Sequence, residues 1–464
     1  MDQSRHQIVI VGGGSAGLEL ATTLGKKIGK KQLVDVVLID ASRTHIWKPL
    51  LHEIAAGTLD SADDELEYLA QARWSNFRYR LGRMTALDRE RQEVCLAPTI
   101  NEEGTEIIPE RRFHYDTLIM AVGSLSNDFG IRGVKQNCLF LDNTEQAERF
   151  QRKLLDCMLK AHTQGTPIVK GQLDLAIVGA GATGVELAAQ IHHVTRKLAS
   201  FGLDTIDPDK HIRIHVIEAG PRILPALPER LSQAAEHELV RLGVTVHVNQ
   251  RVIEITETGI VTAEGKLIPA AMKVWAAGIK APDFLKDIAG LETNRLNQLV
   301  VKRNLQTTRD KRIFAIGDCA ACPLDDNGNF VPPRAQAAHQ EATTLARTIL
   351  RKLKGLPPLE YNYRDYGSMV AMGDYSTVGN LMGGLMRSMM VSGLTARIVY
   401  LYLYKIHQAA LYGWPRAILI SLLRFLRRGI DPQIKLHYPT QVDSPSDLLI
   451  SISLPVQHSI LDLT

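Results

Sequence analysis

Two glycine-rich turns of one design lie in this chain, about a domain's length apart. The first runs Ile8-Val9-Ile10-Val11-Gly12-Gly13-Gly14-Ser15-Ala16-Gly17-Leu18-Glu19; the second runs Leu175-Ala176-Ile177-Val178-Gly179-Ala180-Gly181-Ala182-Thr183-Gly184-Val185-Glu186. Each is a short apolar, β-branched run, then Gly-x-Gly-x-x-Gly, then a helix-like stretch. The first glycine permits the tight bend, the second lets a pyrophosphate approach the backbone, and the third lets the helix pack on its strand. Free N–H groups at the helix start then face the phosphates. Asp40 closes the strand that follows the first turn, and Glu218 closes the strand that follows the second. A carboxylate there binds a ribose hydroxyl pair and repels a 2′-phosphate, which favours NADH over NADPH, a preference tempered by the nearby Arg222. One such turn is weak evidence. Two with matched acids imply two dinucleotides in one protein, an arrangement that suits an enzyme passing electrons between cofactors.

The same grammar sets the fold. A third apolar strand at residues 117–122 is followed by Gly123, and its echo at 273–277 by Gly278. The expected class is α/β, with two Rossmann-like dinucleotide-binding domains, the second inserted in the first, plus C-terminal amphipathic helices that associate with a membrane. The first domain is read as residues 1–145 and 291–385, the second as 146–290. A membrane-association or dimer region follows at 386–437, then a tail at 438–464 with no assigned role. The 464 residues suffice for two or three domains, and 45% hydrophobic with 22% charged content is ordinary for a globular protein. With a net charge of only +4 and no basic run interleaved with aromatics, nucleic acid is not an expected partner. Five sparse cysteines argue against a disulfide scaffold and for a reducing compartment. The start carries no signal-peptide pattern, and no stretch reaches the roughly 18 uncharged apolar residues of a bilayer span.

A third motif, Ile313-Phe314-Ala315-Ile316-Gly317-Asp318, is a strand ending in Gly-Asp. An aspartate there can accept a hydrogen bond from a flavin's ribityl hydroxyl, although taken alone it reads as a strand-end turn. Cys319 and Cys322 form a lone C-x-x-C, weak as a zinc site, and no histidine pair has metal-ligand spacing, so no metal is expected.

Taken together, these segments resemble the two-dinucleotide-binding-domain flavoproteins, and within them the bacterial type II NADH dehydrogenases. The carriers are Gly12–Glu19, Trp47-Lys48-Pro49-Leu50-Leu51-His52-Glu53, Gly179–Glu186, Trp275-Ala276-Ala277-Gly278-Ile279-Lys280-Ala281-Pro282, Ile316-Gly317-Asp318-Cys319 and Pro333-Arg334-Ala335-Gln336-Ala337-Ala338-His339-Gln340. The resemblance implies FAD in the first turn, held by Gly12, Gly14, Ser15, Ala16, Gly17, Asp40, Gly123 and Asp318, with Lys48 near the flavin ring. It implies NADH in the second, held by Gly179, Gly181, Gly184, Glu218 and Gly278, with Glu186 close to the nicotinamide. The Ala-Gln-Ala-Ala-His-Gln stretch looks like the family's quinone-site signature. Gln336 and Gln340 share a helix face, and their amides can bond a neutral quinone's carbonyls. Ubiquinone and menaquinone are left open.

Between Tyr375 and Ile430 the chain has no Asp or Glu, while Arg387, Arg397, Lys405, Arg416, Arg424, Arg427 and Arg428 are spaced among apolar and aromatic residues. Residues 392–428, broken at Gly413-Trp414-Pro415, read as two helices lying in a lipid surface, with Tyr400, Tyr402, Tyr404 and Trp414 at the headgroup boundary. The expected place is peripheral, on the cytoplasmic side of the inner membrane, in the respiratory chain. A homodimer is expected, drawing on the same region. Lys405 is assigned, on position alone, to steering protons or quinone. The rival readings are a sulfide:quinone oxidoreductase, a soluble FAD-dependent reductase serving a protein acceptor, and a non-enzymatic nucleotide-sensing adaptor.

Overall fold

The computed structural model describes residues 5–31, 34–101, 103–372, 376–383, 386–392, 405–427 and 434. A five-stranded parallel sheet runs in the order Ile313–Ala315, Thr117–Met120, His6–Val11, Val34–Asp40, Arg78–Leu81. Its central strands read as unbroken Val/Ile/Leu runs because both faces are covered. Ile8, Ile10, Leu38 and Ile39 are fully buried, as are Leu18, Leu20 and Leu24 on the helix Ser15–Leu24. Each such side chain contributes about 1.5–3 kcal/mol of burial. The helix Ala335–Lys352 packs on Ser15–Leu24, which brings two segments far apart in sequence to one face of the sheet.

A second parallel sheet runs Thr245–His247, Ile214–Ile217, Leu175–Val178, Met272–Trp275. Each parallel sheet has a three-stranded antiparallel companion built from the chain between its own strands. For the first it is Met84–Asp88, Glu93–Leu96 and Arg111–His114; for the second it is Val252–Ile255, Gly259–Thr262 and Leu267–Pro269. The strand Ile313–Ala315 joins the first sheet only after the whole second sheet has been laid down, the topology of one unit inserted in another.

The turn glycines act as the spacing predicts. Gly12 and Gly179 hold φ of +104° and +103°, and a Cβ at Gly12 would lie 2.2 Å from the Ala121 carbonyl oxygen. At Gly17 and Gly184 a Cβ would lie 1.9 and 2.0 Å from the carbonyl oxygens of Gly12 and Gly179, so helix and turn could not close up with any other residue.

Past the helix Ala335–Lys352, the strand Gly367–Met372 pairs with Ser376–Gly383, which pairs with Met386–Ser392. The region expected at 386–437 therefore opens on a strand. Residues 405–412 are helical, Gly413 breaks the run at φ +83°, and Trp414–Arg427 is helical again. Of the expected lipid-facing stretch, residues 393–404 with Tyr400, Tyr402 and Tyr404, and also Arg428, lie outside the described residues, as does the tail 438–464.

Candidate active site

Both glycine turns open into one cavity of about 2130 Å³. A Cβ at Gly14 or at Gly181 would meet no protein atom within 4 Å, and both residues line the cavity. Each is the N-cap of its helix, and neither helix start carries a side-chain cap. Two uncapped helix N-termini therefore face open space, where unpaired N–H groups and the helix dipole favour an anion. Ser15, Ala16 and Gly123 line the same space.

The ribose acids repeat each other's geometry. Asp40 accepts from the N–H of Gly13 at 2.6 Å and of Ser42 at 2.7 Å. Glu218 accepts from the N–H of Ala180 at 2.9 Å and of Gly220 at 2.8 Å. Each carboxylate is thus pinned to its own turn, oriented before any ligand arrives. Burial pushes the Asp40 carboxyl up, against the pull of the Ser42 and Gly13 hydrogen bonds. Asp40 lines the cavity; Glu218 does not, and neither do Gly17, Gly179 and Gly184, which serve the turns themselves.

Asp318 stands across from the first turn, its carboxylate accepting from the Ser124 hydroxyl at 2.7 Å. Lys48 donates to the Ser124 carbonyl at 2.8 Å and lies 3.7 Å from Asp142. A cation, a carboxylate and a hydroxyl thus converge on one wall, a donor set that suits the polar edge of a flavin. The fit of the first turn, Asp40 and this wall to FAD is complete in kind: an anion cradle, a ribose acid, a ribityl acceptor.

Glu186 enters the cavity from the helix Ala182–Ser200. It accepts from the Ala371 N–H at 3.0 Å and faces the imidazole of His52 at 3.7 Å. Burial pushes its carboxyl up to about 8, only partly opposed by the Ala371 bond. Burial also pushes His52 down to about 4, and its Nε2 has no hydrogen-bond partner among the described residues. Near neutral pH this is a pair of mostly uncharged, buried groups.

Gln336 and Gln340 line the cavity on one face of Ala335–Lys352, as their spacing predicts. Their amides are engaged by the segment 364–367. Gln336 donates to Asp365 at 3.2 Å and to the Gly367 carbonyl at 3.0 Å, and accepts from the Tyr366 N–H at 3.0 Å. Gln340 donates to the Arg364 carbonyl at 2.8 Å and accepts from the Arg364 N–H at 3.0 Å. Both glutamines therefore latch a strap along the cavity mouth.

Lys405 does not line the cavity. Its Nζ donates to Gln408 at 2.7 Å, and it is the neighbours Ile406 and His407 that reach the space. Gly278 is also outside it. Its carbonyl accepts from the Asn127 N–H, and the Phe129 ring lies where its Cβ would be. The thiols of Cys138, Cys319 and Cys322 are pushed up by burial to about 12, so none is poised as a thiolate to carry sulfur.

The sequence reading missed a buried cluster at the other side of the cavity. Glu19, two residues past the third glycine, is 5% exposed. Its carboxylate accepts from His339 Nδ1 at 2.5 Å and from His407 Nδ1 at 2.8 Å. His407 Nε2 meets His45 Nε2 at 3.1 Å, and Trp47 stacks on the His407 ring. The signal was present: both turns end in Gly-x-Glu, and a carboxylate set in Gly17-Leu18-Glu19-Leu20-Ala21 is out of place unless paired.

A family model for the pyridine nucleotide-disulphide oxidoreductases matches residues 6–342. The type II NADH:quinone oxidoreductase of Haemophilus influenzae is 42% identical over 443 residues, 93% of this chain and 99% of that protein. The type II NADH:quinone oxidoreductase of Staphylococcus aureus is 28% identical over 389 residues, 82% of this chain and 91% of that one. A solved structure of NDH2 from Plasmodium falciparum in complex with NADH shares the fold, with a TM-score of 0.76 at 20% identity, covering 93% of this chain and 100% of that one.

Proposed function

The chain belongs to the pyridine nucleotide-disulphide oxidoreductases, and within them to the type II NADH:quinone oxidoreductases; from that premise we propose how its own residues divide the work. The enzyme is an FAD-dependent NADH:quinone oxidoreductase. FAD, when bound, takes the hydride of NADH and yields two electrons to the quinone.

In this reading, residues 1–145 with 291–385 hold FAD and residues 146–290 hold NADH. Gly12, Gly14, Ser15, Ala16 and Gly17 cradle the FAD pyrophosphate, Asp40 holds the ribose, and Asp318 and Lys48 hold the flavin's polar edge. Gly179, Gly181 and Gly184 cradle NADH, with Glu218 on its ribose. Glu186 stands by the nicotinamide. When ionised, its carboxylate offsets the positive charge that grows on that ring as hydride leaves, and its burial makes the offset large. Gln336 and Gln340 hold the strap 364–367 and so shape the quinone's place beside it.

The enzyme works at a membrane surface, on its cytoplasmic side. On the helix Trp414–Arg427, Trp414, Ile418, Leu419, Leu422, Leu423 and Leu426 are each half or more exposed, one apolar stripe at helical spacing. Ala417 is buried beneath, and the Arg416 guanidinium stacks 5.5 Å from the centre of the Trp74 ring. An exposed apolar stripe of this size, in a stretch without acids, suits a helix lying in anionic lipid. Among the described residues no helix is long and apolar enough to cross a membrane.

The observation that carries this reading is one cavity lined by both uncapped turns, by Glu186 and by Gln336, His339 and Gln340. The test separates the half-reactions. Under anaerobic conditions NADH should bleach the yellow protein, and a water-soluble quinone should restore the colour. Bleaching without quinone-driven recovery would overturn the acceptor assignment.

A further inference from the structure

Glu19, His339, His407 and His45 form a connected chain of ionisable side chains, all of them lining the cavity. It is drawn from four separate elements. Glu19 comes from the helix Ser15–Leu24, His45 from the strand Thr44–His45, His339 from Ala335–Lys352 and His407 from the helical run 405–412. This cluster keeps its hydrogen bonds mostly among its own members, with one reaching the first turn, from His45 to the Gly13 carbonyl. It sits where the strap-holding helix, the first turn and the C-terminal helices meet. His339 lies between Gln336 and Gln340 in sequence, and its side chain is 40% exposed, against 6% for Glu19 and 7% for His407.

We propose that His339 is the acid that protonates the quinone, and that Glu19, clasped between His339 and His407, is the positioning residue that keeps it charged with a proton. This rests on the quinone-reductase reading above. His339 commits Nδ1 to Glu19, which leaves its other nitrogen for the cavity. In the step, the N–H bond at that nitrogen breaks and an O–H bond forms on the quinone, whose two electrons come from NADH. Neutral His339 regains its proton from water at its exposed edge. The second O–H of the quinol takes the hydrogen that NADH delivers with those electrons, so the balance is NADH + H⁺ + quinone → NAD⁺ + quinol. Throughout, Glu19 keeps the second hydrogen bond, from His407, so its charge is never left bare in the interior.

The neighbours leave this arrangement undisturbed. His45 donates to the Gly13 carbonyl and is held down to about 3 by burial and by His407, so it stays neutral against the far side of His407. Tyr68, on the helix Tyr68–Ser75, gives its hydroxyl to the Gly13 carbonyl and has its pKa raised well above the ordinary value by burial. Lys26 is turned to the Leu411 carbonyl, Lys405 to Gln408 and Lys48 to Ser124. Glu341, on the helix of His339, donates nothing to the cluster: it accepts from the Gly317 N–H, and burial pushes it up to about 8. On the strap, Asp365 is taken up by Gln336 and Arg334, while Gln340 bonds the backbone of Arg364, a further basic residue of the cavity lining. Glu19 therefore sets the state of His339. Burial alone would push the Glu19 carboxyl up, but the two imidazole hydrogen bonds outweigh it and hold the carboxyl below its ordinary value. The same bond raises His339.

Two measurements on the holoenzyme test this. The first is the NMR titration of His339 in protein labelled at histidine, with no NADH or quinone present. The wild type should titrate above the ordinary histidine value, and Glu19→Gln should bring the midpoint down by a unit or more. The second is stopped-flow reoxidation of NADH-bleached enzyme by quinone. Reoxidation should fall as pH rises through the His339 midpoint. Glu19→Gln should move that fall to lower pH, with a loss of about tenfold or more at pH 8, while bleaching by NADH keeps its wild-type rate. His339→Ala should lose the same step and regain it with added imidazole, which also serves if Glu19→Gln does not fold. Reoxidation by either variant at the wild-type rate and pH profile would overturn the proposal. A wild type that bleaches but is never reoxidised by quinone would instead overturn the quinone reading on which it rests.

Discussion

Glu19 and Glu186 hold the same place after the two glycine turns, each two residues past the third glycine, the fifth residue of its helix, and each is buried. Their chemistry is opposite. Two imidazoles hold the Glu19 carboxyl below its ordinary value, whereas burial pushes Glu186 up to about 8 with one backbone N–H in partial relief. The repeated turn thus sets a carboxyl at two equivalent points and leaves its state to whatever packs on top. On the first half, the helix Ala335–Lys352 and the run 405–412 bring His339 and His407. On the second half, the strand Gly367–Met372 brings only the Ala371 N–H to within bonding distance, and His52 stays neutral at 3.7 Å. Two titratable groups whose surroundings drive them apart are a mark of divided acid and base roles.

The comparison breaks most visibly at Glu186. With a pKa of about 8, roughly one-tenth of the Glu186 carboxyl is ionised at pH 7, and nearly all of it at pH 9. If the anion is the productive form, bleaching by NADH should quicken as pH rises through about 8. Glu186→Gln should abolish that rise, falling behind the wild type by about tenfold at pH 7 and about 100-fold at pH 9. Reoxidation by quinone should be unchanged. A Glu186→Gln enzyme that bleaches with the wild-type profile would mean that the two carboxyls do not differ in role.

What could be read from the chain follows from range. The turns, their acids and the helix face of Gln336 and Gln340 rest on local spacing, and the structure places them as the spacing predicts. The second unit's insertion in the first was legible because the strand 313–315 repeats the grammar of a first-domain strand after the second domain is complete. The state of Glu19 was not legible. Its partners lie 320 and 388 residues away, and nothing in the spacing of His339 or His407 points to a carboxylate near the N-terminus. Lys405 shows the complementary error: a cation chosen by charge in an apolar stretch, where the residue two further on, His407, is the one the packing turns inward. The glutamines were read for what an amide can offer a quinone, and the strap that takes up those amides lies some thirty residues downstream, outside any helical period.

A lipid surface should sharpen the contrast, because the helix proposed to lie in it adjoins the run that carries His407. The run 405–412 carries His407 and is tied to the first half through the Leu411 carbonyl, which accepts from Lys26 and Gln71 at 3.1 Å each. The helix Trp414–Arg427 follows it after a single glycine. Replacing Leu422 and Leu423 by Asn should weaken binding to vesicles of anionic phospholipid by about tenfold or more, since each leucine side chain gives roughly 1.5–3 kcal/mol when buried in apolar surroundings. Vesicles should alter the His339 titration in the wild type and leave the pH dependence of NADH bleaching where it was. Equal binding of both proteins in a flotation assay would remove this helix from the membrane contact.

The smallest effect expected is at the strap, where the two halves meet. Gln336 holds Gly367 by its carbonyl, Gly367 begins the strand Gly367–Met372, and Ala371 of that strand donates to Glu186. A glutamine beside His339 is therefore joined through five residues of backbone to the carboxyl of the other half. Gln336→Ala removes three hydrogen bonds from the strap. Reoxidation by quinone should slow by a few-fold, about 1 kcal/mol of positioning. The Ala371 bond should lengthen as the strand loosens. Because that bond pulls the Glu186 carboxyl down, its weakening must move the carboxyl up, and the rise of NADH bleaching should shift to higher pH by a few tenths of a unit. Were the strap only a cover for the quinone, the reoxidation rate would change and the bleaching profile would not. A shift to lower pH would show that the coupling has the opposite sign, with the intact latch holding Ala371 away from Glu186.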